Sequence, residues 1–141
     1  MKIIKTNYRI LIAEGDESTG WLEENLVNQV LKDRKLTGSV DLVCDGHTAI
    51  EKVRQDPNYD LLILDGLMSE LTGPETYSQI KAEHPELAKK IFLCSVEPSL
   101  FKEFVQKEQV ECLARPFKSN AYFQDKVWEY LLKCQNFPSS L

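Results

Sequence analysis

The sequence has few of the residues from which zinc centres and disulfide frameworks are built. It contains two histidines and four cysteines, and no pair of cysteines has C-x-x-C spacing. Zinc sites need closely spaced cysteine and histidine ligands, so this pattern disfavours one. Cys44, Cys94 and Cys112 lie in or beside apolar runs. This placement favours their interpretation as small hydrophobic side chains of the core.

The sequence also has fewer basic than acidic residues, and it lacks long apolar runs. The chain has 17 Lys and Arg against 22 Asp and Glu, a net charge of −5, and an acidic chain repels the phosphate backbone of nucleic acid. No apolar run approaches the roughly 20 residues that cross a bilayer, and residues 1–7 lack the apolar block of a signal peptide. We therefore expect a cytoplasmic protein with no direct nucleic-acid or membrane partner.

Short apolar runs alternate with longer segments of helical periodicity. The predicted strands are 9–13, 39–44, 60–64, 91–94 and 110–113, and the predicted helices are 18–33, 47–55, 74–83, 99–106 and 120–134, with Asn120 as the cap of the last helix. The third run is continuously apolar, which is typical of a central strand buried on both faces. Five such strand–helix units with short connections predict an α/β fold with a parallel five-stranded sheet.

The length of 141 residues and the apolar content of 43% fit one compact domain. We expect this domain to span residues 1–141, with a core of about residues 8–134 and a short tail at each end. Nothing after Cys134 resembles a DNA-binding or enzymatic output segment. Output is therefore expected to pass through contacts with another protein.

Polar side chains follow four of the predicted strands, where the carboxyl ends of parallel strands meet. The residues at this edge are Glu14, Gly15 and Asp16 after the first strand, Asp65 after the third, Ser95 after the fourth and Arg115 after the fifth. Functional groups of open α/β sheets gather at such an edge. The sequence thus predicts a site in which acids, a hydroxyl and one fixed cation converge.

Each of these residues also has a purely structural interpretation. Asp65 can end its strand with an Asx turn, and Ser95 can cap the turn at residues 97–99. Glu14 and Asp16 can interact with the dipole at the start of the first helix. Arg115 can be a solvated charge, although Pro116 fixes the chain behind it and favours an inward direction.

Five segments, in order and at the expected spacing, resemble the response-regulator receiver domain of two-component signalling. They are Tyr8-Arg-Ile-Leu-Ile-Ala, Asp45-Gly-His-Thr-Ala-Ile-Glu, Tyr59-Asp-Leu-Leu-Ile-Leu-Asp with Met68 and Gly73 behind it, Ile91-Phe-Leu-Cys-Ser, and Arg115-Pro-Phe. The similarity extends from about Tyr8 to Cys134. It implies a doubly wound, CheY-like (flavodoxin-like) three-layer sandwich with strand order 2-1-3-4-5.

The resemblance also implies a function, that of a stand-alone receiver in a phosphorelay. Asp65 would accept a phosphoryl group from a sensor histidine kinase, a phosphotransfer protein or a small phosphodonor. Mg²⁺ would be held by Glu14, Asp65 and the backbone carbonyl of Leu67, with Asp16 as a further candidate ligand, while Ser95 and Arg115 would contact phosphoryl oxygens. Signalling would use the face formed by helix 4, strand 5 and helix 5, towards a protein target or a second copy of the chain. Self-phosphorylation is then the protein's only chemistry, and it is not otherwise an enzyme.

The sequence departs from the family pattern at the site itself. The second acid after the first strand is Gly15, the strand-five lysine is Arg115, and Cys112 stands where the family has a switching aromatic. Ser69 and Val96 replace a proline and a very small residue. Mg²⁺ requires well-placed oxygen ligands, and a planar guanidinium is not equivalent to a compact ammonium. An alternative is therefore a pseudo-receiver, a protein-binding module that keeps the fold and works without phosphorylation.

Overall fold

The apolar runs of the sequence form the strands of one sheet in the computed structural model, which describes residues 5–135. The strands are β1 (Asn7–Ala13), β2 (Thr37–Val43), β3 (Leu61–Asp65), β4 (Ile91–Ser95) and β5 (Cys112–Ala114). The helices are α1 (Glu17–Asp33), α2 (Gly46–Gln55), α3 (Gly73–Glu83), α4 (Lys102–Glu108) and α5 (Asn120–Leu132), with short 3₁₀ helices at Pro85–Lys90 and Pro98–Phe101. The outermost residues of both predicted tails lie outside the described residues.

All four strand pairings are parallel, and the strands lie in the order β2-β1-β3-β4-β5. This confirms the predicted α/β fold and its strand order. The central position of β3 explains its composition, because each of its five residues is buried. Such a strand is covered by helices on both faces of the sheet.

Alternate strand residues point to opposite faces, so the sheet separates two apolar layers. One layer packs Ile10, Ile12, Leu61, Ile63 and Phe92 against α1 and α5. The other packs Leu11, Leu62, Leu64 and Leu93 against α2 and α3. The two layers hold the strands rigidly and fix the positions of the residues at their carboxyl ends.

The region around α4 differs from the prediction. Pro98–Phe101 forms a 3₁₀ turn, so α4 begins at Lys102 and not at Ser99. Gln109 has φ 58° and ψ 40°, a left-handed conformation that ends α4, and β5 begins at Cys112, two residues later than predicted. Regular periodicity predicts this region poorly because turn geometry interrupts both elements.

Two smaller expectations also need correction. The cap of α5 is Ser119, whose side-chain hydroxyl accepts a hydrogen bond from the backbone of Tyr122, and not Asn120, which is the first helical residue. Cys94 is buried as expected, whereas Cys44 is exposed. Within residues 5–135, no helix has the length and apolar character needed to cross a membrane.

Candidate functional site

The carboxyl ends of the strands bring the predicted polar residues to one edge of the sheet. Asp65 is the last residue of β3 and pairs in register with Cys94 of β4, and Ser95 pairs with Ala114 of β5. Arg115 follows immediately, and its backbone N–H donates to the carbonyl of Ser95 over 2.8 Å. Asp65 and Arg115 border an open cleft, which is also lined by Glu14, Gly15, Asp16, Leu67, Met68, Ser69 and Val96.

The carboxylate of Asp65 lies at the centre of this edge and is 7% exposed. Its Oδ1 accepts a hydrogen bond from the backbone N–H of Leu67 at 3.2 Å and another from Nη1 of Arg115 at 3.3 Å. The loop behind it turns back closely, since a Cβ atom at Gly73 would lie 2.7 Å from the carbonyl oxygen of Asp65. Glycine at this position therefore allows α3 to start directly behind the strand end.

Arg115 is the cation of the site and contacts three carboxylates. Its Nη2 lies 2.5 Å from Oε2 of Glu14 and 2.8 Å from Oε2 of Glu23, and its Nη1 lies 3.3 Å from Oδ1 of Asp65. Burial alone would lower the pKa of the guanidinium, but the surrounding carboxylates raise it above its ordinary value. Arg115 thus turns inward, as its position before Pro116 indicates, and the Arg115–Pro116 peptide bond is cis.

Glu14 also turns inward and is 4% exposed. Its Oε1 accepts a hydrogen bond from the backbone N–H of Asp16 at 3.0 Å. Burial and a hydrogen bond with Asp65 raise the pKa of this carboxyl to about 7, although Arg115 lowers it. Oε2 of Glu14 faces the guanidinium of Arg115.

Glu23 belongs to the same cluster, and the prediction from sequence did not include it. It lies on α1 and is 0% exposed, and its Oε2 accepts from both Nε and Nη2 of Arg115 at 3.1 and 2.8 Å. The sequence did carry a signal, because Glu23 shares the helical stripe of the buried Leu26, Val27 and Val30. A charged residue on an apolar stripe indicates a buried partner.

Asp16 and Ser95 have local hydrogen bonds that match their structural interpretations. Oδ2 of Asp16 accepts from the backbone N–H and the hydroxyl of Thr19, which makes it the N-cap of α1, and these bonds lower its pKa. Oγ of Ser95 accepts from the backbone N–H of Glu97 at 3.0 Å. Ser95 is 0% exposed. A contact between Ser95 and a phosphoryl group, and metal ligation by Asp16, remain predictions.

The acids of the cleft do not fit a magnesium ion. Mg²⁺ prefers six oxygen ligands in near-ideal octahedral geometry, but Gly15 supplies no carboxylate. Both Glu14 and Asp65 are ion-paired with Arg115. No group of three or more Asp, Glu, His and Cys side chains within residues 5–135 is arranged to hold a metal. A positively charged guanidinium between two of the expected ligands would in addition repel the ion.

The space beside Gly15 remains open. A Cβ atom built at this position would lie 3.9 Å from the carbonyl oxygen of Cys44 and 4.0 Å from Oδ2 of Asp65. Both distances are ordinary van der Waals contacts. The missing second acid is therefore a matter of residue type at this position, since the backbone leaves room for a side chain.

Solved structures with a similar fold include receiver domains. The receiver domain of a sensor histidine kinase from Pseudomonas aeruginosa, with magnesium coordinated in its active-site cleft, is 20% identical, with a TM-score of 0.74 over 89% of this chain and 98% of the other. A receiver domain protein from Clostridium thermocellum is 16% identical, with a TM-score of 0.75 over 89% and 95%. The response regulator TrrA from Thermotoga maritima, in complex with Mg²⁺-BeF, is 23% identical, with a TM-score of 0.67 over 88% and 99%.

Comparison of the sequence with curated proteins found no match. A family model, that of the response regulator receiver domain, matches residues 10–125. This range includes β2 to β5, most of β1, α1 to α4 and every residue of the cleft described above. The chain belongs to the response regulator receiver domain family.

Proposed function

We propose that the chain is a receiver-type protein-binding module that works without a phosphorylation cycle at Asp65. One observation carries this proposal: Arg115 is ion-paired with Asp65, Glu14 and Glu23 in the resting molecule. A phosphoacceptor needs its carboxylate free to attack and needs charge neutralisation around the transferring group. Here the cation is already engaged, and the second acid of the metal site is absent.

The charge balance of the cluster supports this interpretation. Three carboxylates face one guanidinium whose side chain is 11% exposed. Removing one partner from a buried ion pair leaves an uncompensated charge, which costs about 3–5 kcal/mol. If Arg115 left its carboxylate partners to contact a phosphoryl group, the molecule would lose a similar amount of free energy. The cluster thus favours one fixed arrangement of the cleft.

Signalling by such a module depends on its surface. We propose the face of α4, β5 and α5 as the contact surface, together with the β4–α4 loop beside it. Exposed apolar side chains support this choice: Val96 is 64% exposed, Leu100 59% and Tyr122 39%. No residue of α4 is fully buried, so this helix can adapt to a partner at little cost in core packing.

The remaining features of the proposal follow the family. We propose one receiver domain over residues 1–141 that acts in the cytoplasm. Its partners would be a sensor histidine kinase, a phosphotransfer protein or a downstream protein target, and pairing of two copies through the α4–β5–α5 face is compatible with it. No catalytic turnover of a substrate is part of the proposal.

The test is phosphorylation of the purified protein with phosphoramidate and Mg²⁺, followed by intact mass spectrometry. The wild type is expected to gain no phosphoryl group. The double variant Gly15→Asp/Arg115→Lys restores the acid for which the structure leaves room and exchanges the planar fork for a compact ammonium. This variant is expected to gain one hydroxylamine-labile phosphoryl group, which proves that the assay works on this fold. An adduct on Asp65 of the wild type would overturn the proposal.

A second candidate is the ordinary phosphoacceptor, with Asp65 as its nucleophile. The observation that favours it is the position of Asp65 beside an open cleft, at a strand end next to Ser95. An oxygen of Asp65 would attack phosphorus, and the phosphorus–nitrogen bond of protonated phosphoramidate would break with its electron pair on nitrogen. Ammonia would leave, and Asp65 would carry an acyl phosphate whose oxygens contact Arg115 and Ser95.

The same assay identifies this second candidate. An adduct on the wild type that is lost in Asp65→Asn but retained in Asp33→Asn would support it. Asp33 is a suitable control because it lies at the end of α1, away from the cleft, where its Oδ1 accepts a hydrogen bond from Gln29. An adduct retained in Asp65→Asn would exclude Asp65 as the acceptor.

A further inference from the structure

The buried carboxylate of Glu23 orients the guanidinium of Arg115. Glu23 lies 92 residues before Arg115 in the sequence, and its Oε2 accepts hydrogen bonds from both Nε and Nη2 of the guanidinium. We infer that Glu23 is a positioning residue, which holds Arg115 from α1 so that Nη1 of the guanidinium faces Asp65. The inference rests on the proposed function, in which the Arg115–Asp65 pair exists in the resting molecule.

The planarity of the guanidinium supports this assignment. Its five N–H donors lie in one rigid fork, so fixing Nε and Nη2 on Glu23 determines where Nη1 points. That remaining nitrogen lies 3.3 Å from Oδ1 of Asp65. The ammonium group of a lysine is a compact point charge, so a contact with Glu23 would not determine which of its N–H groups faces Asp65.

Burying the carboxylate of Glu23 beside Arg115 costs free energy. Its Oε1 has no hydrogen-bond partner within the described part of the chain, and burial raises the pKa of its carboxyl. An apolar residue on this stripe of α1 would avoid both penalties. A glutamate at this position is therefore explained by its bond to Arg115 and not by packing.

The contact also spans the fold. Glu23 is on α1, Asp65 ends β3 and Arg115 follows β5, so the guanidinium connects three elements at one edge of the sheet. We infer that the Glu23–Arg115 bond fixes this edge in the arrangement that the structure shows.

The test is NMR spectroscopy of the Arg115 Nε–Hε group in the full chain. Glu23→Gln removes the charge but preserves the shape of the side chain, and Glu24→Gln on the more exposed neighbouring residue is the matched control. In Glu23→Gln, the Arg115 signal is expected to move towards the position of a solvated arginine and to exchange faster with water. The control is expected to leave both properties unchanged.

A second variant keeps the inference testable if Glu23→Gln does not fold. Glu23→Asp retains the charge but shortens the side chain by one methylene, so the Arg115 signal is expected to shift less than in Glu23→Gln and in the same direction. An unchanged Arg115 signal in a folded Glu23 variant would overturn the inference. The result is separate from the phosphorylation assay, since it reports the orientation of Arg115 whether or not Asp65 is modified.

Discussion

Glu14 and Arg115 show how residue type determines the chemistry at the carboxyl edge of the sheet. Glutamate reaches one methylene further than aspartate, and Glu14 uses this reach to contact Arg115 at 2.5 Å. Arginine contacts several carboxylates at once because its donors are spread over a planar fork. Because of these two side chains, the acids at this edge form an ion-pair cluster around one guanidinium.

The pH dependence of stability tests the burial of Glu14. Its pKa is raised from 4.5 to about 7 by burial and by a hydrogen bond with Asp65, so the folded chain holds this proton more tightly than the unfolded chain. Its contribution to the free energy of unfolding is fully present below pH 4.5 and is lost as the pH rises through about 7. Glu14→Gln should remove this fall, which is on the order of 2–3 kcal/mol.

Urea unfolding at about pH 5 and about pH 8 measures this effect. Glu17→Gln, on the exposed first turn of α1, serves as the control and should keep the pH dependence of the wild type. If Glu14→Gln also keeps that dependence, Glu14 does not titrate in the buried position that the structure shows.

Among the α-helices of residues 5–135, α4 is the least firmly packed. It has no fully buried residue and ends at Gln109, whose φ of 58° costs free energy in any residue with a Cβ atom. The proposed contact face includes this helix. Its weak attachment suits a surface that forms its contacts with a partner.

Replacing Gln109 with glycine should stabilise the chain. Glycine adopts the left-handed conformation without steric cost, so Gln109→Gly is expected to raise the free energy of unfolding by roughly 0.5–1 kcal/mol, even though the bond from Nε2 of Gln109 to the carbonyl of Gln106 is lost. Gln106→Gly, within the helix, should lower it by about 1 kcal/mol. Urea unfolding compares the two variants, and destabilisation by Gln109→Gly would contradict the described end of α4.

At the scale of the whole molecule, the sequence was sufficient for the sheet and for the gathering of polar residues at one edge. Continuous apolar runs and strand-end polar residues are local signals, and Asp65, Ser95 and Arg115 were found from them. The turn geometry around Gln109 has no such local signal in the sequence. The predicted bounds of α4 and β5 therefore differ from those in the structure. The position of Glu23 on the buried stripe of α1 is a sequence signal for burial. Its partner Arg115 lies 92 residues away, so only the tertiary fold identifies the pair.

We propose that Arg115, and not a divalent ion, supplies the positive charge at this edge of the sheet. A titration of ¹⁵N-labelled protein with MgCl₂, followed by NMR of the amides of Asp65, Gly66 and Leu67, tests it most directly. The wild type is expected to show no saturable shift at these amides, whereas Gly15→Asp/Arg115→Lys, with its second acid restored, should show one. Saturable shifts at the three amides of the wild type would contradict the account.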